Sequence, residues 1–229
     1  MKEPQQGFNL VSLMIGMTLS MVSILAMLSL YKNIIGISIL SIKDAKQDGQ
    51  IATGLLIAQR ELLNAGFRID PVALPVTSRV LLLNGASLSN GTLTGTTQTI
   101  GTAATIGNAM VWIYKTTSTA TATCAGLLVH DGVLSRLLGP AGCTQVSQWN
   151  STIWTATTLI EVNQPATFFT VQYAGCWPFG KIADATSSAT RVQIVLTAIN
   201  STLDPNSSDP QPAYVKNKST VCLPNLEKI

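Results

Sequence analysis

GFNLVSLMIGMTLSMVSILAMLSLY, residues 7–31, is the stretch from which the rest of the chain is read. It contains no charged residue, the nearest charges being Glu3 before it and Lys32 after it. At about 1.5 Å per helical residue, residues 8–31 would extend roughly 36 Å, enough to cross a hydrocarbon core of about 30 Å. The stretch therefore reads as a helix able to span a membrane. Seven residues precede Phe8, with Lys2 the single base among them. The boundary is a Gly-Phe step and not the small-x-small pattern of secretory cleavage, and the apolar run is long for a signal peptide, resuming after Lys32 as IIGISILSI. No Cys lies near its start, which excludes lipid attachment there. A plain signal anchor also needs only apolar residues, and that reading stays open.

Working outward, no Pro falls between Lys32 and Gly66, and Ile51, Leu55, Ala58 and Leu62 recur at helical spacing with Ala52, Leu56 and Leu63 beside them. Residues 32–66 are thus expected to continue the helix in amphipathic form, packed on a sheet. Gly36, Gly49 and Gly54 are expected to weaken it by about 1 kcal/mol each relative to Ala. Gly66, with Pro71 shortly beyond, is placed to end it.

Two segments carry a family resemblance. MKEPQQG-FNLVSLMIGMTLSMVSILAMLSLYK looks like the class III leader of type IV prepilins and type II secretion pseudopilins. AQRELLNAGFRID, residues 58–70, is similar to the helix end of PilW-like minor pilins, with Arg60, Glu61, Leu62, Ala65, Gly66, Phe67 and Arg68 carrying the match. The resemblance implies that a prepilin peptidase cuts between Gly7 and Phe8 and that Phe8 is N-methylated. It also implies an inner-membrane stage with the rest of the chain in the periplasm, and partnership with other pilins through the N-terminal helix. The fifth mature residue, usually Glu in that family, is here Ser12. In that family the carboxylate is held to pair with the N-terminal amine of the subunit assembled before it. Ser12 offers a hydrogen bond and no countercharge. The resemblance reads this either as a place at the filament tip, where no such neighbour exists, or as a minor subunit that tolerates Ser there.

Residues 67–229 read as a β-rich globular domain, so the fold class is α+β: one long helix, its first half membrane-spanning and its second amphipathic, packed on an antiparallel sheet. Strands are expected over residues 79–83, 110–114, 127–130, 133–138, 158–162, 168–173, 191–198 and 213–222. Asp131-Gly132 reads as a two-residue hairpin turn, because such a turn favours positive φ at both central positions. Residues 86–108 form a Gly/Thr/Ser-rich stretch, read as a polar surface excursion with marginal strands.

Cys124, Cys143, Cys176 and Cys222 all follow the apolar helix, which suggests an oxidising compartment. The sequence allows three pairings. Cys124–Cys143, closing a hairpin-sized loop, and Cys176–Cys222, tying the chain end to the domain, are preferred, with four buried thiols as the alternative.

Little here suggests chemistry. The single His, His130, directly precedes the Asp-Gly turn, and no nucleophile elbow, phosphate loop, paired-His metal motif or dinucleotide fingerprint occurs. Glu161 and Asp184 lie in unrelated contexts. Lys43, Lys46, Lys181, Arg191, Lys216 and Lys218, with Trp177 or Tyr214 to stack, could form a nucleic-acid surface, but a net charge of +3 without any basic run disfavours it. The expectation is a non-enzymatic structural subunit without cofactor, metal or small-molecule substrate. It would be a PilW-like minor pilin that helps initiate or cap a filament. The alternatives are a type II secretion pseudopilin and an anchored periplasmic binding or adhesion domain that never polymerises.

Overall fold

The computed structural model describes residues 10–161, 164–177, 190–200 and 215–227. The chain divides into two units, Met1–Lys46 and Gln47–Ile229. A single helix, α1 (Leu10–Leu63), supplies the described part of the first and the opening of the second. Its stretch Leu10–Lys46 is exposed throughout, and as far as Tyr31 it is an apolar run without a charged residue.

In the second unit α1 becomes one-sided. Ile51, Leu55, Ala58 and Leu62 are buried while Ala52, Leu56 and Arg60 face out, which is the 3.6-residue stripe read from the sequence. After a four-residue helix α2 (Val76–Arg79) come β1 (Val80–Ser89), β2 (Thr92–Gln98), β3 (Thr105–Gly107), β4 (Ala109–Tyr114), β5 (Thr123–His130) and β6 (Val133–Ala141). A 3-10 turn (Val146–Asn150) leads to β7 (Thr155–Ile160), β8 (Phe169–Gly175), β9 (Thr190–Asn200) and β10 (Val215–Glu227). They form not one sheet but two, a six-stranded sheet in the order β2-β1-β4-β5-β6-β7 and a four-stranded one in the order β10-β9-β8-β3. All the pairings are antiparallel.

The buried stripe of α1 shares one core with both sheets. Leu82, Met110, Trp112 and Leu127 enter it from the larger sheet and Phe169, Val171, Ile194 and Leu196 from the smaller. A second core lies on the other face of the larger sheet, where Leu83, Val111, Ile113, Cys124 and Leu137 pack with Val146, Trp149 and Trp154. That explains why residues 110–114 are apolar without alternation: β4 is covered on both faces. β9 alternates buried and half-buried positions as its sequence does, with Val192, Ile194 and Leu196 inward.

Besides the number of sheets, three expectations need correction. The stretch 86–108 holds real strands, joined by a two-residue turn with Asn90 at φ 49 and Gly91 at φ 78. Arg79 ends α2 instead of starting a strand. And Gly54 is a packing residue, since a Cβ there would lie 2.8 Å from Ile160 Cδ1 and 3.2 Å from the Leu159 carbonyl oxygen. Gly49 has nothing within 4 Å of that position. Gly54→Ala should therefore destabilise the domain by about 1–3 kcal/mol through overpacking. Gly49→Ala should stabilise it by about 0.5–1 kcal/mol through helix propensity. Urea unfolding of both variants reads these opposite signs.

Candidate functional site

The features that single out this chain are the exposed apolar part of α1 and the way its other end is fastened. Leu13, Met17, Ile24, Leu28, Ile35 and Ile42 are all exposed, an arrangement that water penalises at about 25 cal/mol per Å² of apolar surface. By length and composition α1 is a candidate membrane span. The hydroxyls inside it are turned onto the helix itself. Thr18 donates to the Ile15 carbonyl at 2.9 Å and Ser20 to the Gly16 carbonyl at 2.6 Å. Each satisfies its own donor without water, as an apolar surrounding demands. Ser12 is exposed on this stretch, four residues after Phe8. Gly7 and Phe8 lie outside the described residues.

At the far end several contacts bind α1 to the strands. Arg136 on β6 meets the Glu61 carboxylate at 3.1 Å, and the Gln59 amide donates to the Ser219 hydroxyl of β10. Gly66, at φ 73, turns the chain out of the helix, and its N–H donates to the Ile113 carbonyl at 2.9 Å. The Lys115 N–H then donates to the Phe67 carbonyl at 3.0 Å, so the helix end is sewn to β4. From β10 the Asn225 amide donates to the carbonyls of Leu63 and Ala65, both at 3.2 Å, filling acceptors that a helix C-terminus leaves open. Beneath them Arg79, only 1% exposed, donates through Nη1 to the Asn225 carbonyl at 2.7 Å. Burial holds the Arg79 guanidinium below its ordinary value, against the opposing pull of Tyr173 and Asp70, and burial raises the Tyr173 phenol. The residues of AQRELLNAGFRID thus form a fixed corner. Its partners Asn225 and Arg79 gave no signal in the sequence, because each acts through contacts more than a hundred residues away.

The cysteines form two bridges in the structure, Cys124–Cys143 with Cα atoms 5.5 Å apart and Cys176–Cys222 at 5.9 Å. The first joins β5 to the chain after β6, and the second joins the end of β8 to β10 across β9.

Among the described residues the other candidates are not gathered into a reactive centre. His130 ends β5 with Nδ1 3.4 Å from the exposed Asp131 carboxylate, an ion pair only when the imidazole is protonated. The turn it precedes has Asp131 at φ 49 and Gly132 at φ 76. Among the described residues no group of three or more His, Cys, Asp or Glu side chains could hold a metal. Arg191 and Trp177 do come together, the guanidinium lying 5.8 Å from the ring centroid, but Arg191 also meets Glu227 at 3.2 Å and donates to the Cys176 carbonyl. This cation is therefore largely neutralised. Asp184, Lys181 and Tyr214, and the Lys216 side chain, lie outside what is described.

No family model matches the chain, and no curated protein does. Among solved structures it is similar to a chain of the GspK-GspI-GspJ complex from the enterotoxigenic Escherichia coli type 2 secretion system, at 15% identity and a TM-score of 0.28, over 65% of this chain and 87% of that one. A likeness of that size carries no conclusion about function. The two features that do bear on function are the exposed apolar helix and the corner that fastens it to the strands.

Proposed function

We propose that this chain is a non-enzymatic filament subunit of the pilin type, a PilW-like minor pilin. The observation that carries the reading is the character of α1. One helix is exposed over Leu10–Lys46 and free of charge as far as Tyr31, yet from Ile51 to Leu62 it is built into the core of a disulfide-bonded strand domain. A simple anchor needs only the first property. A subunit drawn from a bilayer into a helical bundle needs both, because the helix must exchange lipid for neighbouring helices while carrying its domain with it. The leader-like step at Gly7-Phe8 supplies the processing that such a subunit requires. Residues 1–7 are then the leader, 8–31 the filament-core half of the helix, 32–66 its domain-packed half and 67–229 the periplasmic domain. Inner membrane, prepilin peptidase, other pilins and finally the cell-surface pilus follow as location and partners.

Gly7→Val tests the reading in cells that contain a prepilin peptidase. Unprocessed precursor should accumulate in the membrane, whereas a variant that runs and localises as wild type does would make Gly7 dispensable and leave only an anchored domain. A pseudopilin of type II secretion would use the same leader and helix. Cross-linked partners separate the two, pilus subunits in one case and secretion subunits in the other.

Ser12 favours a place at the filament tip. In the family's packing scheme the carboxylate at this position reaches the N-terminal amine of a subunit already assembled, and a subunit at the tip has no such neighbour. An unpaired charge in an apolar bundle would cost several kcal/mol, about the size of the penalty a charged side chain pays at mid-membrane. Ser12→Glu should change the position or incorporation of the protein. Wild-type assembly, with label along the whole shaft, contradicts the tip assignment.

A further inference from the structure

We propose that a carboxylate ligand with an apolar body binds in the cleft around Arg79, its charge meeting the buried guanidinium. Arg79 is almost wholly buried, and among the described residues only its Nη1 has a hydrogen-bond partner, the Asn225 carbonyl at 2.7 Å. Nε is enclosed without one. No carboxylate of the described residues stands within ion-pair distance of the guanidinium. Asp70 acts on it from farther away, and Glu227 is engaged by Arg191 at 3.2 Å. The other two part-buried arginines each have a carboxylate, Arg136 on Glu61 and Arg191 on Glu227. A cation withdrawn from water with neither counterion nor a full set of acceptors is costly, and an anion supplied from outside removes that cost.

Space for that anion lies beside Arg79. Two open clefts, of about 500 and 410 Å³, share Pro71, Arg79 and Glu227 as a common wall. Each is the size of a small-ligand site. One cleft adds Arg68 and Asn225, the other Val72, Pro75, Val76 and Tyr173. These walls set the chemical class of the occupant. The buried cation selects an anion, and the Pro and Val surfaces select an apolar body next to it. Charge decides between anions. Arg68, Arg79 and Arg191 stand against Asp70 and Glu227, so a singly charged carboxylate suits the cleft better than a dianionic phosphate, which the two acids repel more strongly. Arg79 also holds Asn225, whose amide fills the last carbonyls of α1, so an occupied cleft steadies the corner where the helix ends. The site lies wholly within the strand domain and needs neither the leader nor the apolar helix, and so stands or falls apart from the pilin reading.

The test titrates the full chain in lipid nanodiscs by calorimetry at constant ionic strength, with empty nanodiscs as the blank. The probes are phenylacetate and its uncharged counterpart phenylacetamide. Phenylacetate should bind saturably, and phenylacetamide at least about tenfold more weakly. Val72 is exposed on the cleft wall and belongs to neither buried core. Val72→Glu brings a carboxylate to that wall and should weaken phenylacetate binding at least about tenfold. Val72→Gln, of similar size and without charge, should bind as wild type does. Both variants spare the bond from Arg79 to Asn225, which Arg79→Gln would remove. The proposal is overturned by the absence of saturable binding to wild type, by equal affinity for acid and amide, by undiminished binding to Val72→Glu, or by the same loss in Val72→Gln. Tighter binding of inorganic phosphate than of phenylacetate overturns it as well, since the site would then be one for a dianion.

Discussion

Ile24→Lys combined with Leu28→Lys should release the chain from membranes without unfolding its strand domain. Both residues are exposed in the apolar stretch of α1, and neither belongs to either buried core. At the centre of a spanning helix a Lys costs about 2.5–3.5 kcal/mol on the insertion scale, where Ile or Leu contributes about −0.3 to −0.6. The pair therefore shifts insertion by roughly 6–8 kcal/mol. Fractionation should find the variant outside the membrane, while its near-ultraviolet circular dichroism matches wild type. A variant that stays membrane-bound would show that something other than this helix holds the protein there.

Replacing all four cysteines by Ala should remove about 7 kcal/mol of stability, enough to unfold a domain at the lower end of the ordinary range. The bridges are separated in sequence by 19 and 46 residues, which in the chain-entropy model correspond to about 3 and about 4 kcal/mol. Domains of ordinary stability have only about 5–15 kcal/mol in total. The two pairs are far enough apart in the fold, one on the larger sheet and one on the smaller, for their losses to be nearly additive. Urea unfolding of the single-pair variants and of the quadruple variant measures this directly. A quadruple variant as stable as wild type would mean that the two cores alone hold the sheets.

The long helix and the strand content were legible because they depend on local pattern. Ile51, Leu55, Ala58 and Leu62 show the helical period, and Val192, Ile194 and Leu196 the strand period, within a few residues of one another. Asp131-Gly132 was legible because the turn chemistry is local as well. Asn90-Gly91 is the same device, but its flanking Thr, Ser and Gly residues gave too weak an apolar alternation to be read as strands. The division into two sheets was hidden for a different reason. It depends on which strands pair across long separations, as when Phe169 on β8 meets Gly107 on β3. Gly54 was misread because the helix alone shows only its propensity cost, and the crossing of Ile160 that requires it is tertiary. At the candidate site, the apolar half of α1 and the segment ending at Gly66 could be found by reading the chain, whereas buried Arg79 could not.

The N-terminal residue of the protein recovered from cells carrying a prepilin peptidase bears most directly on the pilin reading. A mature chain that begins at N-methylated Phe8 is the expected result. A chain that still begins at Met1 would contradict it, and would leave an anchored strand domain whose Ser12 has no part in any filament.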